Sequence, residues 1–161
     1  MPLVSKGRQV ILITGVGMMI SAEWIYQGEP FTDPGSYWGY VYLITCLPTG
    51  RKYIGRKAFT MGKSRQVKGK RKKYRAESNW KKYWSSSTEV QADVKRLGEE
   101  QFTREILHLC TTKSSIAYWE SYTIFCTHAL LDPNYYNQWI SCRIRKENLK
   151  SANLAFSMDH A

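Results

Sequence analysis

Aromatic and β-branched residues are concentrated in short runs of the amino-terminal half, each bounded by turn-forming residues. Two of these runs, at 39–45 and 51–55, are separated by the tetrapeptide LPTG at 47–50. This pattern predicts two antiparallel strands joined by a tight turn. A shorter hairpin is predicted at 24–31, where apolar residues flank a Gln-Gly dipeptide.

Helical periodicity follows farther along the chain. Residues 86–89 (SSTE) have the spacing of a capping box. Val90, Val94 and Leu97 then recur at helical intervals, and Gly98 follows them. The pattern predicts an amphipathic helix that ends at Gly98.

Three further elements complete the predicted fold. We expect a short helix at 78–84, a strand at 102–109, and a long helix at 114–131 that Asp132-Pro133 stops. The order of elements predicts an α+β domain with a small three-stranded antiparallel sheet flanked by helices. A chain of 161 residues is long enough for one such domain.

The organisation predicted along the chain has three parts. An amino-terminal extension at 1–36 contains the short hairpin, a domain occupies 37–150, and a tail covers 151–161. Within the domain, an insertion at 56–75 is dense in Lys and Arg and has few apolar residues. We expect this insertion to be a long, mobile basic loop.

Positive charge is strongly clustered. The chain has 24 Lys and Arg against 13 Asp and Glu, a formal net charge of +11. More than half of the basic residues lie between Arg51 and Lys82, and no acidic residue lies between Asp33 and Glu77. Such a local field favours nucleic acid as the partner, although a solvated lysine-rich face is the plainer alternative.

Cysteine and histidine spacing gives little support for metal chemistry. The four cysteines form no Cys-x-x-Cys pair, and no His stands at ligand spacing from them: Cys46, Cys110, Cys126 and Cys142. We expect reduced thiols that serve in packing, as is usual in the cytoplasm. The histidines at 108, 128 and 160 show no mutual spacing, so structural or surface roles are expected for them.

The amino terminus leaves three alternatives open. An apolar run at 10–20 follows Lys6 and Arg8, which resembles a secretory signal and would make the chain a secreted basic protein. The run is too short to span a bilayer, so we expect no membrane insertion. It could also be an extra strand or extension, or precede a natural start at Met18 or Met19.

Ordered motifs give the chain a resemblance to a known family. Tyr40-Val41-Tyr42, ten residues, and then Tyr53-Ile54-Gly55 resemble the paired signature of GIY-YIG nucleases. The resemblance continues through the SSS at 85–87, the Leu-Gly at 97–98, Glu120 and the Tyr-Asn at 136–137. It covers about residues 39–137 and looks closest to stand-alone, phage-borne members related to homing endonucleases.

The resemblance implies a role for each matched residue. Tyr42 would deprotonate the attacking water, and Tyr53 would support it and orient the phosphate. Glu120 would be the single carboxylate that binds the metal. Asn137 would hold the backbone of the active site, although a turn alone would also favour Asn.

Glu120 also stands out on physical grounds. It lies four residues from both Ile116 and Ile124, so a helix would place it among apolar neighbours. Mg²⁺ needs only one or two carboxylates besides water and phosphate, and Mn²⁺ could substitute for it. The alternative is a surface glutamate paired with a lysine.

The insertion displaces the family's catalytic arginine, and the family's spacing falls on Lys63 instead. The other candidates are Arg56, Lys57, Arg65, Arg71 and Arg75. We favour Arg75, where the insertion meets ordered structure and a guanidinium suits bidentate phosphate contact. The family's histidine has no equivalent between Gly55 and Trp84, and Trp80 or Tyr83 could occupy its place. Tyr40 replaces the family's glycine, and we expect its side chain to face away from the neighbours of Tyr42.

The predicted function is a Mg²⁺-dependent DNA endonuclease of the cytoplasm, working as a homodimer or with an accessory protein if it cuts both strands. The alternative is a basic nucleic-acid-binding protein without activity. The residues expected to contact DNA all lie in or beside the insertion: Arg56, Lys57, Lys63, Arg65, Lys70, Arg71, Lys72 and Lys73.

Overall fold

The computed structural model describes residues 23–149 of the chain. This part contains seven strands and two α-helices, together with short 3₁₀ turns. The strands are β1 (Trp24–Tyr26), β2 (Glu29–Pro30), β3 (Gly39–Cys46), β4 (Lys52–Ala58), β5 (Thr60–Val67), β6 (Lys70–Glu77) and β7 (Phe102–Cys110), and the helices are α1 (Thr88–Leu97) and α2 (Lys113–Cys126). The expectations for the apolar run at 10–20, the tail at 151–161 and His160 concern residues outside this part.

The main sheet confirms the α+β fold but has more strands than predicted. Its order is β2-β1-β7-β3-β4, so the three expected antiparallel strands form one side of it. The expectation of three strands was wrong, because β1 and β2 form a lead-in hairpin that joins the same sheet through a parallel pairing of β1 with β7. Trp24 anchors this addition: its side chain is buried, and its indole donates to the Trp80 carbonyl at 2.7 Å.

Two apolar clusters lie on opposite faces of the sheet, as the period of two along β3 requires. Tyr40, Tyr42 and Ile44 point to the first face, where α1 packs through Val90 and Val94. The second face includes Val41 and is covered by α2, with these buried residues: Val41, Ile54, Cys110, Ile116, Ile124 and Ala129.

The basic insertion is not a loop. Strands β5 and β6 pair antiparallel from Thr60↔Glu77 to Val67↔Lys70, and residues 56–58 belong to β4. Lys68 and Gly69 both have positive φ, at 47° and 74°, which is the two-residue turn that suits the twist of a hairpin. The expectation of a loop was wrong because this hairpin buries no face of its own, so its sequence lacks apolar alternation.

The predicted short helix at 78–84 is reduced to a 3₁₀ turn at Trp80–Lys82. Helix α1 is confirmed, but its cap differs from the predicted capping box. Ser87 is the N-cap and accepts from the Val90 amide at 3.4 Å, while Glu89 pairs instead with Arg51 at 3.0 Å.

Helix α2 is shorter than expected at its carboxyl end. It stops at Cys126, and His128 then adopts a positive φ of 52°, which ends the helix before Asp132-Pro133 is reached. A capping box that the sequence pattern did not single out starts α2, formed by Thr112 and Ser115.

The unpaired cysteines divide into two groups. Cys46 and Cys110 are buried in the two clusters, as expected of packing residues, whereas Cys126 and Cys142 are exposed. His108 stacks on Trp119 at 4.5 Å, in agreement with a structural role. Within residues 23–149, no helix is both long and apolar enough to cross a membrane.

Candidate active site

The tyrosine pair lies side by side on β3 and β4, as the hairpin prediction requires. Tyr42 pairs with Gly55 and Ile44 pairs with Tyr53, which places both tyrosine rings on one face with centroids 6.2 Å apart. A Cβ at Gly55 would clash with the Tyr42 hydroxyl oxygen. Gly55 is therefore what allows the Tyr42 ring to lie across β4.

Tyr42 is sealed from solvent in the free protein. Its side chain is 0% exposed, and no hydrogen bond of regular geometry reaches its hydroxyl, although the Tyr83 side chain lies close enough to interact with it. Burial raises the pKa of Tyr42 well above 10.0, and the neighbouring Tyr83 and Tyr53 raise it further. This phenol is protonated at neutral pH.

The expectation that the Tyr40 side chain faces away from the neighbours of Tyr42 was wrong. Residues two apart in a strand share a face, and the two rings lie 5.8 Å apart in the same buried cluster. The Tyr40 hydroxyl is also buried without a partner. Its ring packs against Trp24 and Phe59, at 4.9 Å from each, and so contributes to the core.

A cleft of about 480 Å³ opens beside the tyrosine pair, between β4, the start of α1 and α2. Three of the expected catalytic residues line it directly: Tyr53, Glu120 and Asn137. Other side chains in its wall include Arg56, Tyr83, Ser86, Gln138 and Trp139. Tyr42 lies behind this wall.

Glu120 and Arg56 form an ion pair in the cleft. The Arg56 Nε lies 3.2 Å from a Glu120 carboxylate oxygen, and the Glu120 side chain is only 18% exposed. Ile116 and Ile124 are buried on either side of Glu120 along α2, as the spacing predicted. Burial raises the pKa of Glu120, and the positive charge of Arg56 partly offsets that rise.

Asn137 acts as a clamp on β4. Its amide accepts from the Ile54 amide nitrogen at 2.9 Å and donates to the Ile54 carbonyl at 2.8 Å. Because β4 is an edge strand, this side chain satisfies both backbone groups that a further strand would otherwise pair. The backbone that carries Tyr53 and Gly55 is held by it.

Tyr83 and Ser86 enter the cleft from the segment between the 3₁₀ turn and α1. The Tyr53 and Ser86 hydroxyl oxygens are 3.4 Å apart. Ser85 is buried with a positive φ of 138°, and its carbonyl accepts from Gln91 at 2.7 Å. A strained, anchored residue beside Ser86 fixes where that hydroxyl points.

Of the two residues that could occupy the place of the family's histidine, Tyr83 lines the cleft, whereas Trp80 is buried in the core. Lys57 lies with its Nζ 3.9 Å from the Tyr83 ring centre. Arg104, a buried residue that the sequence did not single out, donates to the Lys81 and Tyr83 carbonyls at 3.1 and 3.0 Å. It fixes the backbone that carries Tyr83.

The structure does not bring Arg75, our favoured arginine, into the cleft. Arg75 lies on β6, where its guanidinium contacts the Thr60 hydroxyl at 2.6 Å and faces the Trp38 ring. Arg56, which follows Gly55 directly, is the arginine of the cleft wall. Most of the other basic candidates lie on the β5–β6 hairpin: Lys63, Arg65, Lys70, Arg71, Lys72 and Lys73.

The donor set fits a metal ion held by one carboxylate. Among residues 23–149 no three His, Cys, Asp or Glu side chains come together, so a site formed entirely by protein ligands is not offered there. Glu120 is half-buried and faces the cleft. Mg²⁺ keeps several waters and commonly takes one or two carboxylates plus substrate phosphate, which matches this arrangement.

Comparison with known protein families agrees with the family resemblance found in the sequence. Residues 24–140 match the family model described as "Putative endonuclease segE, GIY-YIG domain". No curated protein and no solved structure matches the chain. The matched region contains the tyrosine pair, Glu120 and Asn137, and it begins with the lead-in hairpin that joins the main sheet. The chain belongs to the GIY-YIG endonuclease family, and its fold is a nuclease domain of the segE type.

Proposed function

We propose that this protein is a metal-dependent DNA endonuclease that hydrolyses phosphodiester bonds in the cleft between β4 and α2. The observation that carries the proposal is Glu120, a carboxylate held half-buried beside Arg56 in a strongly basic protein. Burying a carboxylate is unfavourable, and its raised pKa reflects that penalty. Such a group in a cleft is typical of a functional site.

Arg56 is the cation that we assign to the scissile phosphate. A guanidinium presents several N–H donors in one plane, so one nitrogen can contact Glu120 while others contact phosphate oxygens. Arg56 replaces Arg75 in this role, because Arg56 lines the cleft and Arg75 does not. Its position also restrains the Glu120 carboxylate in the free protein.

Glu120 would hold Mg²⁺, for which Mn²⁺ could substitute. When bound, such an ion neutralises charge on the phosphate and lowers the pKa of a coordinated water. The remaining work falls to the chain's own residues. The Tyr53 hydroxyl, next to Ser86, would orient the phosphate, and Asn137 keeps the Tyr53–Gly55 backbone in place.

Tyr42 is assigned the proton from the attacking water, in line with the family resemblance. In the free protein this hydroxyl is buried and its pKa is high. In the substrate-bound protein, nearby positive charge would lower the pKa of Tyr42, and the phenol would lose its own proton to solvent. The resulting phenolate would then accept the proton of the attacking water.

The resemblance and the segE-type match support two finer proposals. The nuclease would be a phage-encoded enzyme of the homing type that acts in the host cytoplasm, where free thiols such as its cysteines persist. One cleft per chain would nick one strand at a time. Cutting both strands would require a second copy or an accessory protein.

A plasmid-nicking assay tests the central proposal. We expect supercoiled DNA to be nicked with Mg²⁺ or Mn²⁺ and to stay intact with chelator. Glu120→Gln should abolish nicking while DNA affinity measured in chelator is retained. Glu105→Gln, which removes the same charge from an exposed position of β7, is the matched control and should remain active. A wild-type protein that binds DNA but cuts none with either metal would instead be the non-catalytic DNA-binding protein.

A further inference from the structure

The β5–β6 hairpin is a two-stranded ribbon that stands apart from the main sheet. The side chains along its middle are exposed on both faces. At about 3.4 Å per residue, eight-residue strands give it a length of roughly 24 Å. An isolated hairpin is marginally stable in water, so a ribbon with no buried face is suited to lie on a partner surface.

The register divides the ribbon into two faces of different chemistry. The inner face combines small and polar residues with three cations, and it has one acidic residue, Glu77, at its base: Thr60, Gly62, Ser64, Gln66, Arg71, Lys73, Arg75 and Glu77. The outer face mixes cations with apolar groups: Met61, Lys63, Arg65, Val67, Lys70, Lys72, Tyr74 and Ala76. Both faces can neutralise phosphates. The inner face offers the Ser64 hydroxyl and the Gln66 amide, and a Gln side chain can pair bidentately with adenine, whereas the oxygen acceptor of the outer face is the Tyr74 hydroxyl.

The inner face is continuous with the cleft. At the base of the ribbon, the Arg75 guanidinium faces the Trp38 ring at 5.4 Å. Trp38 also lines a second groove, together with Arg56, Lys113 and Arg143. Because Arg56 lines both this groove and the cleft, basic side chains run from the cleft to the inner face.

We propose that the ribbon lies in the major groove of duplex DNA with its inner face toward the base edges, and that it sets the sequence preference of the enzyme. The proposal rests on the proposed function for the position of the cut. The major groove, about 12 Å wide, admits a two-stranded ribbon, whereas the minor groove, about 6 Å wide, does not. Arg and Gln are the side chains that pair bidentately with guanine and adenine there.

The geometry also places the contacts along the DNA. Arg71 lies four residues before Arg75 on β6, toward the tip of the ribbon, which is about 14 Å at strand spacing. Since base pairs are stacked about 3.4 Å apart and the ribbon would follow the groove, the contacts of Arg71 and Gln66 fall up to about four base pairs beyond those of Arg75. The preferred bases therefore lie to one side of the cut.

Two matched double variants test this assignment. Arg71→Ala with Lys73→Ala removes two charges from the inner face, and Arg65→Ala with Lys72→Ala removes two from the outer face. Both are made in the full chain carrying Glu120→Gln, with chelator present, so binding is measured whether or not the protein cuts. The readouts are selection from a random duplex library, the salt dependence of affinity, and interference by methylation at guanine N7 or adenine N3.

The two variants should distinguish the contribution of positive charge to DNA affinity from the contribution of base contacts to sequence preference. Each lost phosphate contact should lower the salt slope by about 0.9, for whichever face makes it. Only the inner-face variant should flatten the selected sequence, since one good bidentate contact gives about 5- to 150-fold discrimination. Methylation at guanine N7, in the major groove, should block binding.

Three results would overturn the proposal: equal loss of preference in both variants, no preference in the parent protein, or interference only at adenine N3. Charged residues would then serve merely to keep the open edges of the ribbon soluble. A parent that selects a sequence while the wild type never cuts DNA would refute the proposed function and leave the ribbon assignment intact. A wild type that cuts DNA without any base preference beyond the cut would refute the ribbon assignment and leave the proposed function intact.

Discussion

Replacing Tyr42 by Phe removes one oxygen atom, and the structure predicts opposite effects on stability and activity. The hydroxyl is buried in a side chain that is 0% exposed, and it lacks a hydrogen bond of regular geometry, with Tyr83 as the neighbour that could supply one. A buried hydroxyl without a hydrogen bond destabilises a protein by about 1–3 kcal/mol. The ring, which packs against Trp24 at 5.2 Å and Tyr83 at 6.1 Å, is retained in the variant.

The expected magnitudes follow from that environment. Tyr42→Phe should raise the free energy of unfolding by about 1 kcal/mol or more, which corresponds to a rise in Tm of roughly 2–4 °C per kcal/mol for a chain of this size. If the same oxygen accepts the proton of the attacking water, its loss should lower kcat by about 10²- to 10⁴-fold. The variant is thus expected to be more stable and nearly inactive.

Tyr40→Phe is the matched control. Its hydroxyl is equally buried and unpartnered, but Tyr40 has no assigned chemical role. Thermal unfolding and single-turnover nicking should show that both variants are stabilised and that only Tyr42→Phe loses activity. A Tyr42→Phe enzyme that nicks DNA within a few-fold of the wild type refutes the catalytic assignment. A lowered Tm would refute the description of this hydroxyl as unpartnered.

Two further predictions concern the clamp and the ion pair. Asn137→Ala loses both hydrogen bonds to the Ile54 backbone, so the free energy of unfolding measured in urea should fall by about 1–3 kcal/mol. The nicking rate should fall more than the DNA affinity. An unchanged urea midpoint would contradict the role of Asn137 as a clamp. For the pair, metal binding needs an ionised Glu120, whose pKa is raised by burial, so kcat/KM should decline on the acid side at a higher pH than an ordinary glutamate would give. Because Arg56 favours the ionised form, Arg56→Gln should move this acid limb to still higher pH, and a profile with an unmoved limb would show that the pair does not control Glu120.

Local chemistry made the tyrosine hairpin predictable. Strand residues bounded by a turn sequence define β3 and β4, and the period of two then decides that Tyr42 and Ile44 share a face. The apolar neighbours of Glu120 likewise follow from helical spacing alone. These features depend on residues close in sequence, which is why the sequence by itself determined the family signature and the likeness to a nuclease.

The ribbon was missed for an equally physical reason. Apolar alternation marks a strand only when one face of the strand is buried. Both faces of β5 and β6 are exposed, so the pattern contains cations and small polar residues instead. The remaining local clue was Lys68-Gly69, whose positive φ values fit a hairpin turn.

The composition of the cleft was decided by tertiary structure. Asn137 reaches Ile54 across 83 positions, and Arg56 meets Glu120 only because β4 and α2 pack together. Arg75 was favoured from the sequence because it stands where the insertion meets ordered structure, yet pairing within the hairpin directs that side chain to Thr60 and Trp38. The sequence determined which residues could do the chemistry, and long-range packing decided which cation stands beside the carboxylate, because spacing along a chain carries no information about contacts between distant elements.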